Sequence, residues 1–521
     1  MRTNKDRRRS ALALVYLLAA SPTAFAQQTA PPPPSQATPP PAPSTPAEEA
    51  PAEFDVDRTV RAALANSTAL RNALRQVAID ERRAGAASAQ GRPAITGSAR
   101  ATRFDQATTV AFSPDSPPVE VLPDHMEELV LGVTQRLDLT GQIRAATSEA
   151  RLQALADRFR ADAIAQSEAL RARVAYYDLL RAEHQVQVAE ANLRAARAQS
   201  ATARRLYEAQ VGQKLDLLRA VTQEAQAEQE VARARNDRDN ARSAFNDLVG
   251  RPLATPVRLA DVPGVSVGTD LPANALENAP VGAASLPFTP FTPPIADVER
   301  IDLDRDIREA QSRRAEALRS EVLVRVAETG VKIARGGQEP EVSVSATGSY
   351  FPTTSLQAPR QRTAGISAAL TIPLYDGGAT RERVAEARLR TESARADHDR
   401  VRDDIALEVR QAHRNLLTAA RQIAAANTAL EQATAARQLA QIRYEGQVGL
   451  FLEVTDAQAA LVRAESDQVN AVYAYLIARA RYESALGLAP LTGTPTPGTS
   501  ETGATPDRGA EVIRGEDRGN G

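Results

Sequence analysis

Two hydrophobic periodicities run along the chain, and each occurs twice. Val409, Ala412, Leu416, Ala419, Ile423, Ala426, Leu430 and Ala433 recur at spacings of three and four. Ala172, Ala175, Leu179, Ala182, Val186, Ala189, Leu193 and Ala196 repeat that pattern 237 residues earlier. A seam with one large and one small residue per heptad predicts left-handed coiled packing of long helices. The small residues let neighbouring helices approach closely. A plain coiled coil without a channel has the same seam; tight return turns and attached hairpins oppose it.

The second period is two. Val342, Val344 and Ala346 alternate with Ser343, Ser345 and Thr347. Ile366, Ala368, Leu370, Ile372 and Leu374 are opposed by Ser367, Ala369 and Thr371. Leu129, Leu131, Val133 and Leu137 alternate with Val130, Gly132, Thr134 and Arg136. Strands are expected at about 94–104, 129–139, 342–351 and 365–375, paired as two hairpins. Strands of about ten residues, apolar on one face and small-polar on the other, suit a transmembrane β-barrel. A soluble sheet with one buried face carries the same alternation. Four strands cannot close a barrel, and an open edge in lipid costs several kcal/mol per unpaired amide or carbonyl. Membrane strands would therefore require several chains to share one barrel.

Glycines punctuate both patterns at one offset. Tyr444, Gly449, Gly487, Gly378 and Leu374 each stand 237 residues after Tyr207, Gly212, Gly250, Gly141 and Leu137. Such register over a long stretch marks an internal repeat. Ala379 to Glu445 holds no Gly or Pro, which predicts a helix about 100 Å long at 1.5 Å per residue. Helices are expected at about 56–90, 142–211 and 213–249, then at about 297–335, 379–445 and 450–486. The first repeat is placed at 54–250 and the second at 297–487. A Pro/Ala-rich linker fills 251–296, and Pro-rich or Pro/Gly-rich segments expected to be disordered fill 27–53 and 488–521.

Composition narrows the functional classes. Met1–Ala26 has a basic region, an apolar stretch and an Ala24-Phe25-Ala26 cleavage site, the form of a secretory signal peptide. No later segment is apolar for long enough to suggest a spanning helix. Formal net charge is −2, so no nucleic-acid partner is implied. The chain contains no cysteine, which removes thiolate metal sites, disulfides and Cys nucleophiles. His125, His184, His398 and His413 share no ligand spacing, and His413 falls at the position of Tyr176, where packing is expected. Gly377-Gly378 lacks the Lys-Ser/Thr of a phosphate loop and is expected to be a strand-to-helix joint, like Gly141. No catalytic residue, metal site or cofactor is expected.

The block YEGQVGLFLEVTDAQAAL at 444–461, the joint LTIPLYDGG at 370–378 and the terminal YAYLIARARYESALG at 473–487 resemble the outer-membrane efflux proteins, the TolC-like family. RLDLTG at 136–141 and YEAQVGQKLDLLRA at 207–220 are weaker versions. Arg136 stands where the second repeat has Pro373, and Arg219 opposite Asp456, so the two turns are not equivalent. The resemblance implies an α+β membrane protein: a homotrimer whose twelve-stranded outer-membrane barrel continues as a periplasmic coiled-coil α-barrel. The turns Tyr207–Gly212 and Tyr444–Gly449 would then form the periplasmic tip. There an adaptor protein of an inner-membrane pump would dock, in an efflux or type I secretion system. Asp216, Glu453 and Asp456 would line the entrance and favour cations. Stabilisation of helix N-termini explains acidic residues at such positions equally well. An exported coiled-coil protein that tethers the envelope without a channel is the alternative function.

Overall fold

Alanine, arginine and glutamate at high density, with glycine and proline absent, commit two 67-residue stretches to unbroken helix. The computed structural model describes residues 53–110, 119–260, 262, 291, 293, 295–352, 362–446 and 448–488. In chain order the described residues begin with β1 (Glu53–Phe54), α1 (Val56–Asn66), α2 (Thr68–Ala89), β2 (Ala94–Arg103), β3 (Thr108–Val110), β4 (Val119–Leu122) and β5 (His125–Leu137). Then come α3 (Gln142–Glu208), α4 (Lys214–Val249), β6 (Arg258–Leu259), α5 (Ile295–Glu299), α6 (Leu303–Arg313) and α7 (Ala315–Arg335). The chain continues with β7 (Glu341–Tyr350), β8 (Arg362–Thr371), α8 (Ala379–Glu445) and α9 (Phe451–Ala485). The expected signal peptide with Ala24 and Ala26, most of the Pro-rich segment, most of the linker and the tail lie outside the described residues.

The long helices pack as the seam demands. The α3 helix lies against α4 on one side and α9 on the other, and α9 lies against α8. Towards the strands, α2 and α7 take over as neighbours of α3, and α7 also packs on α8. Val409, Ala412, Leu416, Ala419 and Ile423 are buried, as are Ala172, Leu179, Val186, Ala189 and Ala196. The largest cluster adds Tyr176, Phe245, Val472 and Tyr473, midway along the helices. Equivalent positions 176 and 413 do equivalent work. The Tyr176 hydroxyl donates to the Ala260 carbonyl at 2.5 Å, and His413 Nε2 lies 3.2 Å from the Val298 carbonyl oxygen. Each pins a crossing segment to a long helix.

The four long strands form one antiparallel sheet, ordered β2-β5-β7-β8. Register fixes its faces. Ile95 opposes Val133, Val133 opposes Ala346, and Ala346 opposes Ile366, so these share one side. Thr96, Gly132, Thr347 and Gly365 share the other. On the apolar side Ile95 is 72% exposed, Leu131 61% and Ile366 84%. A soluble sheet would cover that face; no described element does. Both edges, β2 and β8, lack a neighbour among the described strands. Among the described residues no helix is long and apolar enough to cross a membrane.

Several expected boundaries moved. The helix expected over 56–90 breaks at Ser67, whose hydroxyl accepts the Leu70 amide at 3.1 Å and restarts the helix as α2. The helix expected over 297–335 is three pieces. Asp302 caps α6 by accepting the Arg305 amide, and Arg314 is extended between α6 and α7. The 129–139 strand begins at His125 and ends at Leu137, because Asp138 turns to cap α3. The 365–375 strand runs from Arg362 to Thr371, and Pro373, lacking an amide, lies beyond it. The loop between the first two strands holds a small ribbon, β3 with β4. Glu53, at the end of the segment expected to be disordered, and Phe54 pair in parallel with Arg258–Leu259 of the expected linker. Phe54 is anchored there edge-on against Phe245, with ring centroids 5.5 Å apart.

Candidate functional site

The two helix returns are built alike. After α3 the amides of Val211 and Gly212 both donate to the Leu206 carbonyl, at 3.0 and 2.9 Å. After α8 the amides of Val448 and Gly449 donate to the Arg443 carbonyl at 3.0 and 2.9 Å. These bonds satisfy carbonyls that the helix end leaves open. Glycine is required by close approach. A Cβ on Gly212 would stand 2.9 Å from Leu206 Cβ and 3.0 Å from its carbonyl carbon; on Gly449 the distances to Arg443 are 2.9 and 3.1 Å. Backbone cannot move aside as a flexible side chain can. Gly449→Ala should therefore loosen the turn by about 1–3 kcal/mol, the usual cost of overpacking. Hydrogen exchange at Val448 to Val454 would report it; unchanged protection would mean that the turn relaxes freely.

The turns meet in a small cluster. Phe451 is buried, its ring edge-on to Tyr444 at 5.6 Å, with Ala203, Leu217 and Ala220 from the other return packed against them. Tyr207, the counterpart of Tyr444, is instead exposed. Burial, and then the Asp216 carboxylate, push the Tyr444 hydroxyl above its ordinary range. Glu453 reaches Arg443 across the turn at 3.8 Å. Asp216 and Glu453 occupy the first turns of α4 and α9, whose N-caps, Gln213 and Leu450, make no side-chain capping bond. Helix-end stabilisation is thus a role open to these two, and it is compatible with a place at an entrance. Asp456 is exposed and lies beyond the first turn, where the macrodipole explains little.

At the opposite end of the long helices, Gly141 and Gly378 take φ of 82° and 88° as the N-caps of α3 and α8, and Gly377 takes 69°. That left-handed geometry favours glycine. With no side chain on the cap itself, a nearby aspartate supplies the acceptor. Asp138 accepts the Ile143 and Arg144 amides at 3.0 Å each; Asp376 accepts the Gly378 and Thr380 amides at 3.1 and 2.8 Å. Burial works against the Asp138 charge, but these amides and the Arg144 guanidinium hold its carboxyl below the ordinary range.

The histidines are scattered. His398 meets Ser320, His184 meets Tyr473 and His125 meets Asp124, each at 2.8 Å. Among the described residues no cluster of three His, Cys, Asp or Glu could hold a metal. Sequence reasoning missed a run of buried polar groups on α9. Gln458, Glu465 and Gln468 are all buried, at spacings of seven and three. Gln458 meets Asn192 of α3 at 3.4 Å and Gln468 meets Asn427 of α8 at 2.9 Å. With Leu461 and Val472 they make a second heptad seam, which the three-and-four spacing could have revealed.

The profile of a family described as outer membrane efflux protein matches residues 59–251 and 307–488. No curated protein matches significantly. Among solved structures, the outer membrane protein VceC of Vibrio cholerae is similar with a TM-score of 0.64 at 18% identity. That match covers 83% of this chain and 96% of that one. The CmeC outer membrane channel of Campylobacter jejuni gives 0.64 at 15% identity, covering 83% and 85%. The open-state MtrE outer membrane channel of Neisseria gonorrhoeae gives 0.62 at 18%, covering 83% and 88%. At such identities the likeness carries the fold.

Proposed function

Because the chain belongs to the outer membrane efflux protein family, we propose that it is the exit duct of a tripartite efflux or type I secretion system. The family is one of outer-membrane channels with a large periplasmic helical portion, not a class of enzymes. The observation that carries the proposal is the sheet. Among the described residues its apolar face is uncovered and both its edges are unpaired. Lipid can cover the face, but only neighbouring chains can satisfy the edges. Three chains sharing one barrel, with their helices continuing it into the periplasm, meet both needs. Met1–Ala26 would be the export signal, removed after Ala26; the N-terminal residue of the mature protein checks this.

On this proposal the tip around Gly212 and Gly449 is the periplasmic entrance, where an adaptor and an inner-membrane pump engage. The duct itself conducts passively. Asp456, and with it Glu453 and Asp216, would repeat threefold around the entrance and favour cations. Purified protein in planar bilayers should give channels. Glu453→Ala combined with Asp456→Ala should change their conductance or lower cation preference. Identical single-channel currents would remove the pore-lining role, and absence of any channel would favour a tether.

A further inference from the structure

The two edges of the sheet that lack a partner among the described residues each end in an arginine, at the end remote from the long helices. Arg103 is the last residue of β2 and Arg362 the first of β8. Both are exposed. Register assigns them a common side. Arg103 opposes His125, and Arg362 opposes Tyr350, whose strand mate Ala346 opposes Ile366. Counting in twos along each strand, both fall on the apolar face with Ile95, Leu131 and Ile366. The other two arginines of β2 and β5, Arg100 and Arg136, fall on the polar face, opposite Glu128 and Ser343.

The Arg362 guanidinium sits 5.6 Å from the centre of the Tyr350 ring. A guanidinium stacked on tyrosine, just past an apolar band, suits a membrane–water boundary. At the band's other end Leu374 and Tyr375 are 93% and 88% exposed. A charge on the lipid side is costly at mid-bilayer and nearly free at the interface. Two acids share this end: Asp124 binds His125 at 2.8 Å and feels the Arg103 charge, and Glu127 falls on the same face by register.

This inference rests on the trimeric barrel proposed above. Closing that barrel through β2 and β8 brings one subunit's Arg362 to the same seam as Arg103 of the partner subunit. We propose that each seam binds the phosphate of an outer-leaflet lipid through this pair of arginines. Two guanidinium forks match the oxygens of one phosphate group, which a lysine pair or a single arginine does not. The site is thus formed only on assembly, and it joins lipid composition to the stability of the seam.

The test uses the full-length protein in neutral detergent, with phosphatidic acid as the probe and phosphatidylcholine of the same chains as the control. Native mass spectrometry reads both subunit count and bound lipid. The wild type should retain up to three phosphatidic acid molecules per trimer and few phosphatidylcholine molecules. Removing both arginines (R103Q with R362Q) should weaken phosphatidic acid binding by at least about twentyfold, at roughly fivefold per arginine near a charged surface. R100Q, on the polar face, should leave it unchanged, and excess inorganic phosphate should not displace the lipid. A trimer in which the double variant binds as the wild type does, or from which inorganic phosphate clears the lipid, overturns the lipid site alone. A protein found only as a monomer overturns the trimeric duct itself.

Discussion

Ile366→Arg should keep the protein out of the outer membrane, although Ile366 is among the most exposed residues of the chain. In a water-soluble protein an exposed substitution of this kind changes stability by no more than about 0.5 kcal/mol. Ile366 lies near the middle of β8, on the apolar face. If that face meets lipid, an arginine there costs about 2–4 kcal/mol at the bilayer midplane. Every subunit of the barrel bears the cost, so the summed penalty is comparable to the stability of a whole domain, about 5–15 kcal/mol. Ser367→Arg is the matched control. Ser367 is the next residue along, exposed on the polar face and hydrogen-bonded to Ser345 at 2.8 Å. Its arginine would point into the pore and be hydrated. Membrane fractionation should recover Ser367→Arg as trimer in the outer membrane and Ile366→Arg as degraded or soluble chain. If both variants insert equally, the apolar face is not lipid-facing and the barrel is wrong.

Much of this architecture was legible because the chain says most things twice. The offset of 237 residues, read from glycines and tyrosines, reappears as two helices of equal length starting at Gln142 and Ala379. Long runs free of Gly and Pro leave a helix little choice. The alternation in the strands fixed which side chains share a face, but not what lies beyond that face. Only the absence, among the described residues, of a covering layer over Ile95, Leu131 and Ile366 separates a membrane sheet from a soluble one. What escaped the sequence was local. Ser67 ends one helix and starts the next with a single hydroxyl, and no Gly or Pro announces it. Arg314 goes extended between two helices, and there its guanidinium reaches Glu408, a tertiary partner that local propensity does not announce. At the tip, repeat symmetry suggested that Tyr207 and Tyr444 are alike. Phe451 exists in one copy only, its counterpart being Lys214, and so only Tyr444 finds an aromatic partner.

The helical seam near the tip should tighten as pH falls from about 7 to about 5, because of Glu465. This residue is only 4% exposed, and burial pushes its carboxyl up to about 7; the Arg437 guanidinium pulls the other way without restoring the ordinary value. Arg437 is itself buried, and burial lowers its own affinity for a proton. The sign follows from comparing folded and unfolded chains. Between about 4.5 and about 7 the packed seam keeps the Glu465 proton while an unfolded chain releases it, so protonation favours packing throughout that window. A shift of that size is worth on the order of 3 kcal/mol, fully present in acid and lost as pH rises through 7. Hydrogen exchange of the 458–472 amides, corrected for the intrinsic pH dependence, should show stronger protection at about pH 5 than at about pH 8. Glu465→Gln should abolish the difference and hold the seam in its acid-like state at both values. Arg437→Met should move the transition to higher pH, since a charge opposing protonation is gone. Protection that ignores pH in the wild type, or that responds to pH in Glu465→Gln as strongly as in the wild type, would assign the buried carboxyl no part in holding these helices together.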